Sequence, residues 1–380
     1  MRLREILRAV RMWSPLGPLA AHRWPLVVGA VALLAAGVLT HYAVRARDAD
    51  GWTLLHWAAY QGDVPAIRAL LVLGADPYAE CEAMGPYAGT DILSPPAVNA
   101  WNKRPLTTPL QVAVARSQVG AAQALVEGGV DVNRGSRGGV TPLHVAARRG
   151  QEDSCLLLLR HGAEVDARHD WGWTPLHSAV WAEEAGAAGI LLQHGAHPDA
   201  ATQKRIDLSG QVPLRVEAGL TPLHMTAGRG STALGRLLLA HSADPNARAH
   251  DGSTPLHYAA DRDHRQLIGL LVDGGAHIDS RDGEGRTPLF RAAQRGSVDA
   301  LEALLACGAD PDSRDVYGNC PLHIISVNLK GEQVARRLLE SGADVNVRDG
   351  EGCTPLDRAW WKKGLAGVLY EHGGQMECSR

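Results

Sequence analysis

The sequence predicts an all-α repeat solenoid, one quasi-linear array of about nine modules, and three observations carry that expectation. Thr-Pro-Leu-His, at Thr141–His144, returns at Thr174, Thr221 and Thr254, as Thr-Pro-Leu-Phe at Thr287 and as Cys-Pro-Leu-His at Cys320. Looser copies open at Thr53, Thr108 and Thr354. The intervals 174−141, 254−221, 287−254 and 320−287 all equal 33, and 354−320 equals 34. A second landmark, glycine, stands 21 residues after the threonine at Gly74, Gly129, Gly162, Gly195, Gly275 and Gly308, with Ser242 replacing it once. Just upstream lies an apolar pair such as Leu158-Leu159 or Leu270-Leu271. A fixed period of this length means stacked supersecondary units, each burying its apolar face against its neighbours.

Within each unit the residues specify helix, tight turn, helix and extended loop. Threonine caps the first helix because its hydroxyl accepts an orphan backbone N–H, and proline at the first helical position forfeits no hydrogen bond. Leu143 and Ala146-Ala147 supply the inner apolar face, and the glycine after the second helix fits the site where φ turns positive. These residues and this period resemble the ankyrin repeat, over residues 48–374. The resemblance implies an L-shaped β-turn–helix–helix unit, a curved stack and a concave face that binds proteins. It also implies a role for His56, His144, His177, His224, His257 and His323, which share one motif position. Each imidazole would tie neighbouring turns together by hydrogen bonds. Packed layers ~10 Å apart could not bring several of them to one zinc at ~2 Å.

The chain opens on a basic segment, 1–23, with Leu3, Ile6, Leu7 and Val10 on one helical face and arginines around them. That pattern suits an anionic membrane surface on the cytoplasmic side. From Trp24 to Val44 no Asp, Glu, Lys or Arg occurs, and these 21 residues are expected to cross a bilayer once as a helix. Cleavage after a signal peptide is the competing expectation; a buried core helix is a third. Five arginines on the N-side, against Arg45 and Arg47 offset by Asp48 and Asp50, leave the N-terminus cytoplasmic and send the repeats across. Arginine supplies 33 of the 38 Lys and Arg, and Ala and Gly are abundant. That composition suggests a GC-rich bacterial genome, in which the far side is the periplasm.

Two intervals are long. The 55 residues between Thr53 and Thr108 place an irregular excursion near 80–101, with Pro86, Pro95 and Pro96. The 47 between Thr174 and Thr221 place an insertion near 202–216, where Arg205–Val216 alternates around Ser209-Gly210 as a β-hairpin does. The last unit has Asp357 in place of histidine and charges at Lys362, Lys363 and Glu371, and it reads as a cap before a tail at 375–380.

Charge and cysteine narrow the function classes. The net charge is −3 while residues 1–23 hold five Arg and Glu5, +4, which leaves −7 for the remainder. A mildly acidic array without a basic run is a poor nucleic-acid partner. Six cysteines form no Cys-x-x-Cys, and Cys320 and Cys353, at neighbouring positions of consecutive repeats, are the one pair whose bonding is worth testing. No phosphate loop, metalloprotease motif or nucleophile elbow occurs, so neither catalytic residues, metal nor cofactor is expected.

Binding is sought where repeats differ. One candidate is aromatic: Trp171, Trp173 and Trp181 in the fourth repeat, with Trp52 and Tyr60 at matching positions of the first. The other is a ladder at the end of the inner helix, Arg149, Arg229, Arg262 and Arg295, with Arg116 and Lys362. A second series at the loops comprises Arg168, Arg248, Arg281, Arg314 and Arg348, and Asp251, Asp261, Asp282 and Asp315 lie close enough to neutralise these cations. The expected function is a membrane-tethered scaffold that binds a protein partner and contacts lipid through 24–44. The alternatives are a soluble periplasmic inhibitor or immunity-type protein released by cleavage, and an enzyme.

Overall fold

A computed structural model describes residues 44, 46–48, 51–82, 106–136, 138–203, 218–325 and 330–378. The basic segment 1–23, all but Val44 of the expected membrane span at 24–44, most of the excursion near 80–101 and the hairpin expected at Arg205–Val216 lie outside the described residues. Among the described residues no helix is long and apolar enough to cross a membrane.

The chain divides into two compact units, one holding the described residues up to Asp170 and the other those from Trp171 onward. The first contains α1 (Leu54–Gln61), α2 (Val64–Val72), β1 (Cys81–Glu82), β2 (Leu106–Thr107), α3 (Pro109–Ala115), α4 (Val119–Glu127), α5 (Pro142–Arg148) and α6 (Glu152–Arg160). The second opens with α7 (Pro175–Trp181), α8 (Ala185–Gln193), α9 (Pro222–Arg229), α10 (Thr232–Ala240), α11 (Pro255–Asp261) and α12 (Arg265–Asp273). It continues with α13 (Pro288–Arg295), α14 (Val298–Ala306), α15 (Pro321–Ile324), α16 (Gly331–Glu340), α17 (Pro355–Ala359) and α18 (Lys363–Glu371). Odd-numbered helices are the inner ones and even-numbered the outer ones. Inner packs on inner (α9 on α11, α11 on α13) and outer on outer (α10 on α12, α12 on α14).

The motif leucine of each inner helix is the centre of its layer: Leu110, Leu143, Leu176, Leu223, Leu256, Leu289, Leu322 and Leu356 are all buried. Each contributes roughly 1.5–3 kcal/mol by leaving water. Alanines such as Ala146, Ala179 and Ala259, equally buried, let successive inner helices approach closely. The glycines 21 residues after the threonine do adopt positive φ, and Ser242, which replaces one of them, is held at φ 64°.

Both long intervals are pinched shut at their base, which is how insertions leave the stack undisturbed. β1 and β2 pair antiparallel, Cys81 opposite Thr107 and Glu82 opposite Leu106. In the second unit the Thr202 N–H donates to the Leu220 carbonyl at 3.0 Å, and the Gly219 N–H donates to the Thr202 carbonyl at 2.8 Å.

One relay links repeat to repeat. In the fifth repeat the Thr221 N–H donates to His224 Nδ1 at 3.2 Å, so that nitrogen carries the lone pair and the proton sits on Nε2. Nε2 then donates to the Ser253 carbonyl of the next repeat at 3.1 Å. His56 reaches Thr107 in the same way at 3.2 Å, His177 reaches Leu220 at 3.2 Å, His257 reaches Arg286 at 2.9 Å and His323 reaches Cys353 at 3.0 Å. Gln111 performs both halves with its amide, Oε1 accepting from Thr108 N at 3.0 Å and Nε2 donating to the Val140 carbonyl at 2.5 Å. Phe290 cannot, and there a Thr287–Ser313 hydroxyl contact of 2.9 Å joins the turns instead.

The C-terminal segment, expected as a tail, is docked. Thr354 Oγ1 donates to the Gln375 carbonyl at 2.7 Å, and Asp357 accepts from the N–H groups of Glu377 and Cys378 at 3.2 and 3.0 Å. Arg348 pairs with Glu377. Cys353 is disulfide-bonded to Cys378, with Cα atoms 4.8 Å apart, whereas Cys320 is a free buried thiol against His323 Nδ1. The pair singled out in the sequence is therefore corrected: Cys378 competes successfully because the docked tail brings it beside Cys353, a proximity that repeat spacing does not contain.

Two outcomes follow from this architecture. Burial pushes His56, His224 and His257 down to about 4, below the 6.5 of an exposed histidine. The unfolded chain therefore takes up protons between pH 6.5 and 4 that the folded chain refuses. Stability is intact above pH 6.5 and falls as pH drops toward 4, by about 3 kcal/mol per histidine. The thermal midpoint should be flat from pH 8 to 7 and decline steeply below 6.5; His224→Gln, which copies Gln111, should fold and soften the decline, and an unchanged slope would contradict the relay. Cys378→Ser opens a loop spanning a sequence separation of 25 and should cost about 3 kcal/mol. In non-reducing thermal melts it should match the reduced parent.

Candidate partner-binding surface

Within each unit, Tyr60 or Trp181 stands with the ladder arginines at the C-terminal ends of the inner helices, whereas Trp52, Trp171 and Trp173 stand in the segments that precede those helices. In the first unit Tyr60 ends α1, with its ring 5.7 Å from Trp52 and 5.9 Å from Trp57. The Arg116 guanidinium, from the following repeat, lies 4.6 Å over the Tyr60 ring. In the second unit Trp181 ends α7, and Arg229 of the following repeat lies 4.9 Å over its ring. The two sets are therefore one construction: an aromatic side chain seven residues after the motif threonine, roofed by the guanidinium eight residues after the next threonine. A desolvated cation–π pair of this kind contributes roughly 0.5–2 kcal/mol.

Not every predicted residue reaches the surface. Trp52 is 3% exposed and Trp173 5%, so both are core at the junction of loop and inner helix, contrary to the expectation of an exposed patch. Trp52 sits against Trp57, whose indole donates to Asp48 at 3.1 Å, and Trp173 packs 5.5 Å from Trp181 and flat on His177. Each lies one residue before the N-cap threonine, where its indole packs beside the relay histidine, Trp52 at 5.8 Å from His56 and Trp173 at 6.3 Å from His177. Trp171 is half-buried at the loop, and Tyr60 and Trp181 are half-buried with one ring face under an arginine.

The ladder divides by electrostatic environment. Arg229 pairs with Glu183 at 2.9 Å, and Arg295 pairs with Asp261 at 3.7 Å. Arg262 is exposed. Arg149 is half-buried, and its guanidinium has neither hydrogen-bond nor ion-pair partner among the described residues; burial, then the neighbouring Arg116, lowers its pKa below the ordinary arginine value. The loop series behaves differently. Arg248 donates to the Arg281 carbonyl at 3.0 Å, Arg281 to the Arg314 carbonyl and Arg314 to the Arg348 carbonyl at 2.6 Å. Those arginines are ties between loops.

Arg291, on the inner helix four residues after Thr287, was not anticipated. It lies 3.5 Å from Asp261, 3.5 Å from Asp282 and 3.8 Å from Asp251. Asp282 also takes Arg286 at 3.0 Å. Burial pushes the Asp261 carboxyl up, against the pull of Arg291 and Arg295. Three of the four aspartates expected to neutralise arginines do so, although chiefly through Arg291; Asp315 instead accepts from Tyr317 and Asn319 N–H groups and shapes its own turn. Trp361 was missed too, exposed to 55% at the same register as Tyr60 and Trp181, a match visible in the sequence.

Sequence models of ankyrin repeats match residues 89–169, 139–202, 206–282, 270–349 and 289–374, and a single-repeat model matches 50–81. The chain is similar in structure to the human ASB11 ankyrin repeat domain, at 26% identity and a TM-score of 0.52, covering 63% of this chain and 99% of that one. It is also similar to the ankyrin repeat domain of Bcl-3, described as a unique member of the IkappaB protein family. That likeness has 30% identity and a TM-score of 0.52, and covers 60% and 98% of the two chains. No curated protein matches the chain.

The difference in burial separates two tryptophans 5.5 Å apart. Trp173→Ala should lower stability by about 3–5 kcal/mol through a core cavity. Trp181→Ala should cost no more than about 2 kcal/mol, since it frees one face of Arg229 and opens little void. Urea unfolding of the two variants should separate them clearly, and equal costs would mean that Trp173 is not core.

Proposed function

The chain belongs to the ankyrin-repeat family, whose repeat domains mediate protein–protein interaction, and on that premise we propose that it is a membrane-tethered scaffold binding a protein partner along its inner-helix strip. The observation that carries this reading is the aromatic–guanidinium construction at Tyr60–Arg116 and Trp181–Arg229. The stack does not need these side chains, because capping, the histidine relay and the leucine layers already satisfy it. Half-buried aromatic rings beside arginines are the composition that concentrates binding energy. Half-buried Arg149 and exposed Arg262 add further cations at the same register.

The tether is residues 24–44, and the repeats lie on the far side of the bilayer from the basic N-terminus, the periplasm if the source is bacterial. The charge asymmetry around that segment supports this orientation. The Cys353–Cys378 bond also supports it, because disulfides persist in oxidising compartments.

Two experiments test the proposal. Affinity capture from detergent-solubilised native membranes should recover a partner with the parent chain and recover at least fivefold less with Trp181→Ala combined with Arg149→Gln. Equal recovery would remove the strip from consideration. Sidedness is read at Cys307, a free exposed thiol, with a membrane-impermeant maleimide. Labelling of intact cells with a permeabilised outer envelope is expected, and labelling only after the inner membrane is broken would reverse the orientation.

A further inference from the structure

We infer that the end face of the last repeat is a self-association surface, on which α18 packs antiparallel against α18 of a second copy of this chain about a two-fold axis at Gly367. The inference stands whether or not the inner-helix strip receives a partner.

Contacts between earlier repeats show which positions reach forward to the next layer. Ten residues before the glycine that ends its unit, Arg265 pairs with Glu302 of the following repeat at 3.3 Å. Six residues before that glycine, Arg68 pairs with Glu127 at 3.1 Å and Arg336 with Glu371 at 3.2 Å. Three residues before it stand Leu71 and, ahead of Ser242, Leu239; a Cβ added at Gly128 or Gly274 of the following repeat would collide with them. Seven residues after the threonine, Tyr60 and Trp181 lie under the next repeat's arginine. In the last repeat these four positions are Lys363, Gly367, Tyr370 and Trp361. Tyr370 is 57% exposed and Trp361 55%, Lys363 is exposed, and a Cβ built on Gly367 would meet nothing within 4 Å. Six residues after the threonine, where Ala59, Ala147 and Ala260 are buried, stands Trp360, 51% exposed.

The occupant is a second copy because the face complements itself. Lys363, Gly367 and Glu371 are spaced four apart and so share one side of α18, with Gly367 at the midpoint of the helix. A two-fold axis there sets Lys363 of each copy opposite Glu371 of the other, and the glycine lets the two backbones approach. Glu371 also holds Arg336, and a carboxylate accepts from two cations. Head-to-tail continuation is blocked: Asn346 makes with Gln375 and Gly373 the two bonds that Asn246 makes with His277 and Gly275, so the docked tail fills the place of the next loop. A closed isologous pair remains. Half-exposed aromatic side chains that bury ~150–250 Å² each would contribute roughly 600 Å² across the pair from Trp360, Trp361 and Tyr370. With Lys363, Glu371 and Met376 at the rim the interface reaches about 1,000 Å², the size of a weak, reversible dimer.

The test is sedimentation velocity of the full chain in density-matched detergent over a micromolar concentration series. The parent should sediment as a reversible dimer. Trp361→Ala and Tyr370→Ala should each weaken dimerisation at least tenfold with unchanged circular dichroism. Lys363→Glu should weaken it comparably, and Lys363→Glu combined with Glu371→Lys should restore it to within threefold of the parent. In a Cys307→Ser background, Gly367→Cys should give a covalent dimer on mild oxidation, whereas Gly269→Cys, at the same register inside the array, should not. A parent that stays monomeric throughout the series overturns the proposal. So does a dimer indifferent to Trp361→Ala and Tyr370→Ala, as one joined through residues 24–44 would be. Failure of the double charge exchange to restore the dimer, or cross-linking as ready from Gly269→Cys as from Gly367→Cys, overturns it too.

Discussion

A neutral imidazole with a fixed tautomer is the interaction on which the rest of this structure depends. Each ladder histidine sits three residues into a helix whose first N–H groups have no intrahelical partner. Its Nδ1 takes the N–H of the capping residue, and its Nε2–H crosses to a carbonyl in the next repeat. One side chain thereby satisfies the start of a helix and fixes the height of the following layer. A second tie runs at the outer loops, where Asn246 accepts from His277 N at 2.8 Å and donates to the Gly275 carbonyl at 2.9 Å. Between the two ties the leucine layers fill the space, and burial in those layers is what keeps the imidazoles uncharged.

This division of labour leaves the inner-helix strip available. Consensus positions are occupied by capping, relay and core, so chemistry specific to this chain appears at the positions seven, eight and nine residues after the threonine. There the two units differ in kind. The second is internally compensated, with Glu183 on Arg229 and the Asp251, Asp261 and Asp282 group around Arg291. The first carries Arg116 over Tyr60 and an unneutralised Arg149.

The repeat fold of the described residues was almost wholly legible in the sequence because every repeat states it again. Thr-Pro at the helix start, the apolar pair and the glycine with positive φ each follow from local backbone physics, and repetition cancels local exceptions. Ser242 and Phe290, where a repeat departs from its pattern, required the structure to interpret. The site was half legible. Arginine at one register predicted a ladder, but sequence cannot say which rung has a carboxylate at ion-pair distance: Asp261 is answered by Arg291, and Arg149 by no carboxylate among the described residues. Trp173 and Trp52 were expected at the surface because loop tips are exposed; they are core because an indole just before the cap folds back over the relay. The loop arginines, expected to be neutralised by nearby aspartates, instead donate to carbonyls 33 or 34 residues along the chain. Register singled out Cys320 and Cys353 only as a pair to test, and the partner of Cys353 comes from a docked tail that has no period to announce it.

The most direct measurement of the central claim is the protonation state of the ladder histidines, read from two-dimensional nitrogen–proton NMR of the imidazole rings in the folded chain at pH 7. The account predicts that His56, His177, His224, His257 and His323 each show a protonated Nε2 and an unprotonated Nδ1. Rings protonated at Nδ1, or carrying both protons at that pH, would contradict it.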